Sequence, residues 1–174
     1  MRYLKFLLAV TGCLILFSTF CNAGDAVTIG VVDFQQILNH SRTGKSAQEK
    51  INKKGQALKT EIEKAQADIK AFQDKARREA PLLDDVQKQE IERQMRSKLN
   101  GFRMLQEKHT NEFNAFKNQQ IANVKNSVIK LAAKIGQEKG YLVIIEKQSG
   151  AVLYTNASSK LTDRFLKEID NETP

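Results

Sequence analysis

The chain has 174 residues, with 28 Lys+Arg against 20 Asp+Glu and a formal charge of +8. Charged residues at 28% and aromatics at 7% exclude a multispan membrane protein, and nine Gly with two Pro disfavour an all-β chain, which needs many turns. The composition predicts a soluble, mostly helical, basic protein.

The N-terminal stretch is read first, because it changes the arithmetic. Arg2 and Lys5 are followed by an apolar run over 6–20, and Cys21-Asn22-Ala23 sets small residues at −3 and −1 of a cut after Ala23. That pattern predicts a secretory signal peptide over 1–23, against the alternative of an uncleaved anchor. A lipoprotein reading at Val10-Thr11-Gly12-Cys13 is weaker, since apolar residues continue past Cys13 and Phe20 precedes Cys21 where a small residue is wanted. Cleavage would leave 151 residues, a charge of +6 and no cysteine. An exported chain without thiols has no disulfides or cysteine–zinc sites, so packing or self-assembly must stabilise it.

Residues 27–34 (VTIGVVDF) read as a buried, β-branched strand. Residues 41–139 read as helix and contain a single proline, Pro81. In the first half Ala47, Ile51, Gly55, Leu58, Ile62, Ala65, Ile69, Phe72 and Ala76 recur at steps of three and four, a heptad seam. A looser seam follows through Ile91, Met95, Leu99, Phe102, Leu105, His109, Phe113, Phe116, Val124, Val128, Leu131 and Ile135. Pro81 biases Ala80 away from helix. Asp84 with Gln87 then forms a capping box. The reading is an antiparallel hairpin arm with its tip near 80–85, preferred to one kinked helix that would expose both seams. It places Phe72 near Ile91 and Met95, Ile62 near Phe102, and Ile51 near Phe113. An arm of about 36 residues reaches roughly 54 Å.

Residues 141–147 (YLVIIEK) and 151–155 (AVLYT) read as two strands of a hairpin, with Gly150 at positive φ in the loop. A closing helix is expected from Thr162 as N-cap, with Leu161 and Leu166 as a hydrophobic staple and Leu161, Phe165 and Ile169 on one face. The fold class is therefore α+β: strand, long helical hairpin, β-hairpin, short helix. The head is 24–40 with 140–174, and the arm is 41–139. So small a core is marginal, and three short strands leave open edges. The head should assemble into a ring through Ile29, Val31 and Val32 of the first strand and Leu142, Ile144, Val152 and Tyr154 of the hairpin. The arm carries 22 Lys+Arg and 13 Asp+Glu, the head 4 and 7. Such a face is either simply solvated or attracts an anionic partner.

Chemistry-bearing motifs are sparse. Thr43-Gly44-Lys45-Ser46 after a strand resembles a phosphate loop, but Asn39 stands where the first glycine belongs. A helix entry capped by Thr43 is the simpler reading. His40 and His109 lie far apart, and Asp33 has no evident partner base. No enzyme, metal or cofactor is expected. The residues Phe72, Met95, Phe102, Met104 and Phe116 of the arm, with Leu82 and Leu83 at its tip, are candidates for transient contact with unfolded apolar chains.

Ile29-Gly30-Val31-Val32-Asp33, Ser41-Arg42-Thr43-Gly44-Lys45, Lys139-Gly140-Tyr141-Leu142-Val143-Ile144, Val152-Leu153-Tyr154 and Leu161-Thr162-Asp163 together resemble the Skp (OmpH-like) periplasmic chaperone family in order and spacing. The resemblance covers the mature chain, the basic hairpin matching in type more than in sequence. It implies a homotrimer with a shared β body and three arms around a cavity. It also implies an ATP-independent holdase for unfolded outer-membrane β-barrel proteins, with links to anionic lipid and lipopolysaccharide but no lipopolysaccharide site assignable to a residue here. The alternative is an envelope coiled coil whose basic arms dock on anionic lipid or polysaccharide. Export argues against a nucleic-acid partner.

Overall fold

The computed structural model describes residues 28–157 and 160–172. The leader expected over 1–23 lies outside them. Strand β1 is Ile29–Val32, shorter than the expected run. It ends because Asp33 turns the chain into a helix, α1 (Phe34–His40), to which the sequence reading gives no element beyond Phe34. The Asp33 carboxylate accepts the Gln36 N–H at 3.0 Å. Asp33 and Gln36 have the spacing of a capping pair, the signal that announces this helix.

Ser41 ends α1 and starts α2 (Arg42–Glu79). Its N–H donates to the Ile37 carbonyl at 3.0 Å, and its hydroxyl accepts the Gly44 N–H at 2.9 Å. The cap is thus Ser41 rather than Thr43, which already lies within the helix. Ser41 is the better placed because it is fully buried in the corner between the two helices.

A short 3₁₀ turn, Ala80–Leu82, joins α2 to α3 (Asp85–Lys139). Ala80 stays right-handed helical at φ −50°, ψ −38° despite the following Pro81, contrary to the expected break there. Asp84 forms the expected capping box: it accepts the Gln87 N–H at 2.8 Å, and the Gln87 side chain accepts the Asp84 N–H at 3.1 Å. Because residues 80–82 stay wound, the pairing axis moves towards Asp84. Facing residues shift by about one helical turn from the expected register. Phe72 lies under Lys98, a turn beyond the expected centre of the pairing. Ile62 shares a groove with Gln106 and His109, and the Phe113 ring packs on Gly55.

The last turns of α3 pack into the head. Val128, Leu131 and Ile135 form its core with Val32, Ile37, Leu161, Phe165 and Ile169. Gly140 closes α3 in the left-handed region at φ 69°. Strand β2 (Val143–Glu146) then pairs parallel to β1, from Ile29 opposite Val143 to Val32 opposite Glu146. The expected hairpin is absent: residues 151–155 form no strand. Gly150 does take positive φ, at 80°. However, the Ser149 hydroxyl and N–H both donate to the Glu146 carbonyl, at 2.7 and 3.3 Å, and this tight turn does not lay the chain back on β2. Instead Lys160 and Leu161 run along the other edge of β1, where the Leu161 N–H donates to the Val31 carbonyl at 2.8 Å. So β1 is central and β2 is an edge.

Helix α4 is Thr162–Glu172. Leu161, Phe165 and Ile169 are buried on one face, as expected. Thr162 does not cap its own helix; its hydroxyl accepts the Asp33 N–H at 3.0 Å, tying α4 to the β1–α1 junction. The side chain of Asp33 also takes a 3.0 Å contact from the Lys147 ammonium. Burial works to raise this carboxyl, but the Gln36 N–H, the Lys147 ammonium and the Gln35 N–H outweigh it and hold it below its usual 3.8. A carboxylate so lowered contributes stability at neutral pH that is lost as pH falls through its folded-state value. Lys147→Gln should therefore cost roughly 1 kcal/mol at about pH 7, since Lys147 is half exposed and screened, and almost nothing near pH 2. Urea unfolding at both pH values checks this; an equal loss at both would remove charge as the cause.

Candidate functional site

The arm is amphipathic by construction. Heptad spacing turns one stripe of each helix inward, and every other position meets water. All nine seam residues expected on α2 are buried or half-buried. On α3, Leu99 is the exception and is exposed. Phe72, Met95, Phe102 and Phe116 lie half-buried between the helices. The Lys98 ammonium stands 5.2 Å from the centre of the Phe72 ring, a cation–π contact that half covers the ring.

The remaining arm candidates face water. Leu82 is 85% exposed at the tip and Met104 is 71% exposed on the outer side of α3, while Leu83 is half-buried. Val86 is a further exposed apolar residue beside Leu82 that the sequence reading missed. Its signal was its position: five residues before Ile91, it falls off the seam. The structure therefore splits the candidates into two groups. Phe72, Met95, Phe102 and Phe116 belong to the interhelical stripe; Leu82, Val86 and Met104 are free apolar groups on a charged surface.

His109 marks the waist of the arm. It is buried, its Nε2 lies 2.9 Å from the Glu61 carboxylate of α2, and its Nδ1 lies 3.8 Å from Glu112. Neither ring nitrogen makes an aligned hydrogen bond among the described residues. Lys54 pairs with Glu112 beside it, a hydrogen bond that holds the Glu112 carboxyl below the usual range. Together these contacts fix the register of the two helices.

At the head, Ile29 and Val143 stand opposite one another and both are exposed. Leu142 is exposed next to them, and its N–H donates to the Thr28 carbonyl at 3.0 Å. Leu153 and Tyr154 are almost fully exposed on the segment after β2. Val31 and Val32 are buried inside the chain's own core, Ile144 packs against it, and Val152 is half-buried. Among the described residues no three His, Cys, Asp or Glu side chains are placed to hold a metal ion, and no helix is long and apolar enough to cross a membrane.

Fold and surface together define a class: a long antiparallel helical arm carried on a small α/β head, with free apolar groups along the arm and at the head's open strand edge. Residues 28–169 match the family described as outer membrane protein (OmpH-like), and the chain belongs to that family. Among solved structures, the chain is similar to an OmpH-like candidate outer membrane chaperone from Caulobacter crescentus CB15. The TM-score is 0.75 at 13% identity, covering 85% of this chain and 87% of that one. No curated protein matches the chain.

Proposed function

We propose that this chain is an exported, ATP-independent holdase that binds unfolded outer-membrane β-barrel proteins in the periplasm and keeps them from aggregating before insertion. The observation that carries the reading is the set of exposed apolar side chains on the arm, Leu82, Val86 and Met104 above all, with Leu99 and Ile129, on an otherwise polar surface. Such groups suit many weak contacts with unfolded apolar chains, from which release stays easy. Membership in the OmpH-like family and likeness to a candidate chaperone support it. In this reading the head, 24–40 with 140–174, is the assembly body, and 41–139 is the arm. Three copies join through Ile29 at the start of β1, Leu142 and Val143 at the start of β2, and the exposed Tyr154. Three arms then raise avidity although each contact is weak. The arms also meet anionic lipid or lipopolysaccharide at the envelope surface.

The test is refolding of a urea-unfolded outer-membrane barrel protein by dilution without ATP. Light scattering should fall at one trimer per client. Leu82→Ser with Val86→Ser should weaken that protection several-fold and leave the assembly mass and helix content unchanged, because both side chains are in water. Undiminished aggregation with wild-type protein, alongside binding to anionic vesicles, would replace the holdase reading by that of an envelope coiled coil.

A further inference from the structure

The register fixed at His109 and Glu61 divides the arm at one height, and charge is distributed very unequally about that division. The head-proximal half, 42–60 with 108–139, carries 12 Lys+Arg against 3 Asp+Glu. The distal half, 61–107, carries ten of each. The whole excess of nine positive charges on the arm therefore lies in the half next to the head. Each half of α2 spans 19 residues, or roughly 28 Å, well over a Debye length at physiological salt, so the two regions act separately on a partner.

Pairing sharpens the contrast. In the distal half Lys75, Lys88, Arg93 and Arg96 each have a carboxylate within 4.0 Å, three or four residues along the same helix. In the proximal half Lys54 is held by Glu112, and Lys59 reaches Glu63 just across the division. Lys45, Lys50, Lys53, Lys117 and Lys125 are exposed and make no such pair among the described residues. Between the helices at this level is an open groove of about 300 Å³. Its walls carry Arg42, Lys50, Ser46, Gln120, Asn123 and Ser127, over an apolar floor of Ala47 and Val124. Cations, hydroxyls and amides above an apolar floor suit a carboxylate side chain together with its methylene stem.

We propose that the proximal half of the arm, centred on this groove, is the seat for acidic stretches of a bound unfolded polypeptide. The distal half then supplies only uncharged contact through groups such as Met104 and Leu82. This rests on the holdase reading and adds a direction to it: an acidic client is drawn towards the head, not held at the tip.

The experiment uses the full mature protein and two triple variants of equal charge. The proximal set is Lys45→Gln, Lys50→Gln and Lys53→Gln; the distal set is Lys64→Gln, Lys70→Gln and Arg78→Gln. The probe is a urea-unfolded outer-membrane barrel protein of net negative charge, diluted at low and high salt. The proximal set should weaken capture about tenfold at low salt and flatten its salt dependence, while the distal set changes capture less than about twofold. Lys117→Gln with Lys125→Gln, on the other helix at the same level, should repeat the proximal effect even if the first triple folds poorly. Equal weakening by proximal and distal sets overturns the placement while leaving the holdase reading intact. Wild-type protein that captures no polypeptide overturns both. Unchanged polypeptide capture by the proximal set, with lost binding to phosphatidylglycerol vesicles, assigns the patch to a lipid surface and also overturns it.

Discussion

Phe165→Ala should lower stability by about 3–5 kcal/mol, the cost of emptying a fully buried aromatic site. The reason is how little else holds the head. Phe165 is 0% exposed and is the largest fully buried side chain among the described residues. It sits in one cluster with Val32 of β1, Ile37 of α1, Leu131 and Ile135 of α3, and Ile169 of its own helix. That cluster is the point where four separate segments meet, and the two-stranded sheet is too small to hold them without it. A domain of this size has roughly 5–15 kcal/mol in all, so the loss is a large share of the total. Thermal unfolding followed by circular dichroism should show the midpoint falling by about 10 °C or more. Leu82→Ala, in water at the tip, should stay within about 1 °C and serves as the reference. A Phe165→Ala midpoint that follows the reference would mean that the head is held by contacts outside this cluster. With the head as the proposed assembly body, the loss should also show as a smaller mass in solution.

Much of this architecture was legible because periodicity is a strong signal. The α2 seam, the Asp84 capping box and the Leu161–Phe165–Ile169 face all follow from local spacing, and each is where the pattern places it. Other features depended on partners far along the chain. Thr162 has the residue type and position of a helix cap, but the Asp33 N–H 129 residues away takes its hydroxyl. Residues 151–155 have strand composition, but composition does not tell a chain which edge is open. The helical register slipped by a turn because the behaviour of Ala80 before a proline was read from a local preference, while winding on through 80–82 keeps the Leu83 N–H on the Ala80 carbonyl at 3.4 Å. The candidate surface was half legible for the same reason. Aromatic residues announce themselves by type, yet whether Phe102 lines a seam or Met104 faces water turns on two residues of register. Charge was visible as a sum from the outset. Its concentration in one half of the arm needed the facing residues of α2 and α3 to be known.

The second large effect is a reversal of sign between two glycines. Replacing a helical glycine by alanine ordinarily stabilises by about 1 kcal/mol, since alanine loses less backbone freedom on folding. Gly101 should follow that rule. It lies on the exposed side of α3, and a Cβ there meets nothing within 4 Å. Gly101→Ala should raise the unfolding midpoint. Gly44 should do the opposite. A Cβ at Gly44 would stand 2.2 Å from the Leu38 carbonyl oxygen and 2.8 Å from its Cα. Those are backbone atoms of α1, so no side chain can swing aside. The helices would have to part at the Ser41 corner, breaking the bond from the Gly44 N–H to the Ser41 hydroxyl. That corner also carries the Arg42 N–H bond to Asp170 of α4, at 2.7 Å. Gly44→Ala should therefore cost about 3 kcal/mol, the upper end for overpacking, in spite of the gain in helix preference. Urea midpoints of the two variants, read beside wild type, decide the matter. If both move upward, the glycine in Thr43-Gly44-Lys45-Ser46 is there for a reason other than the close approach of α1, and its resemblance to a phosphate loop would again need an explanation.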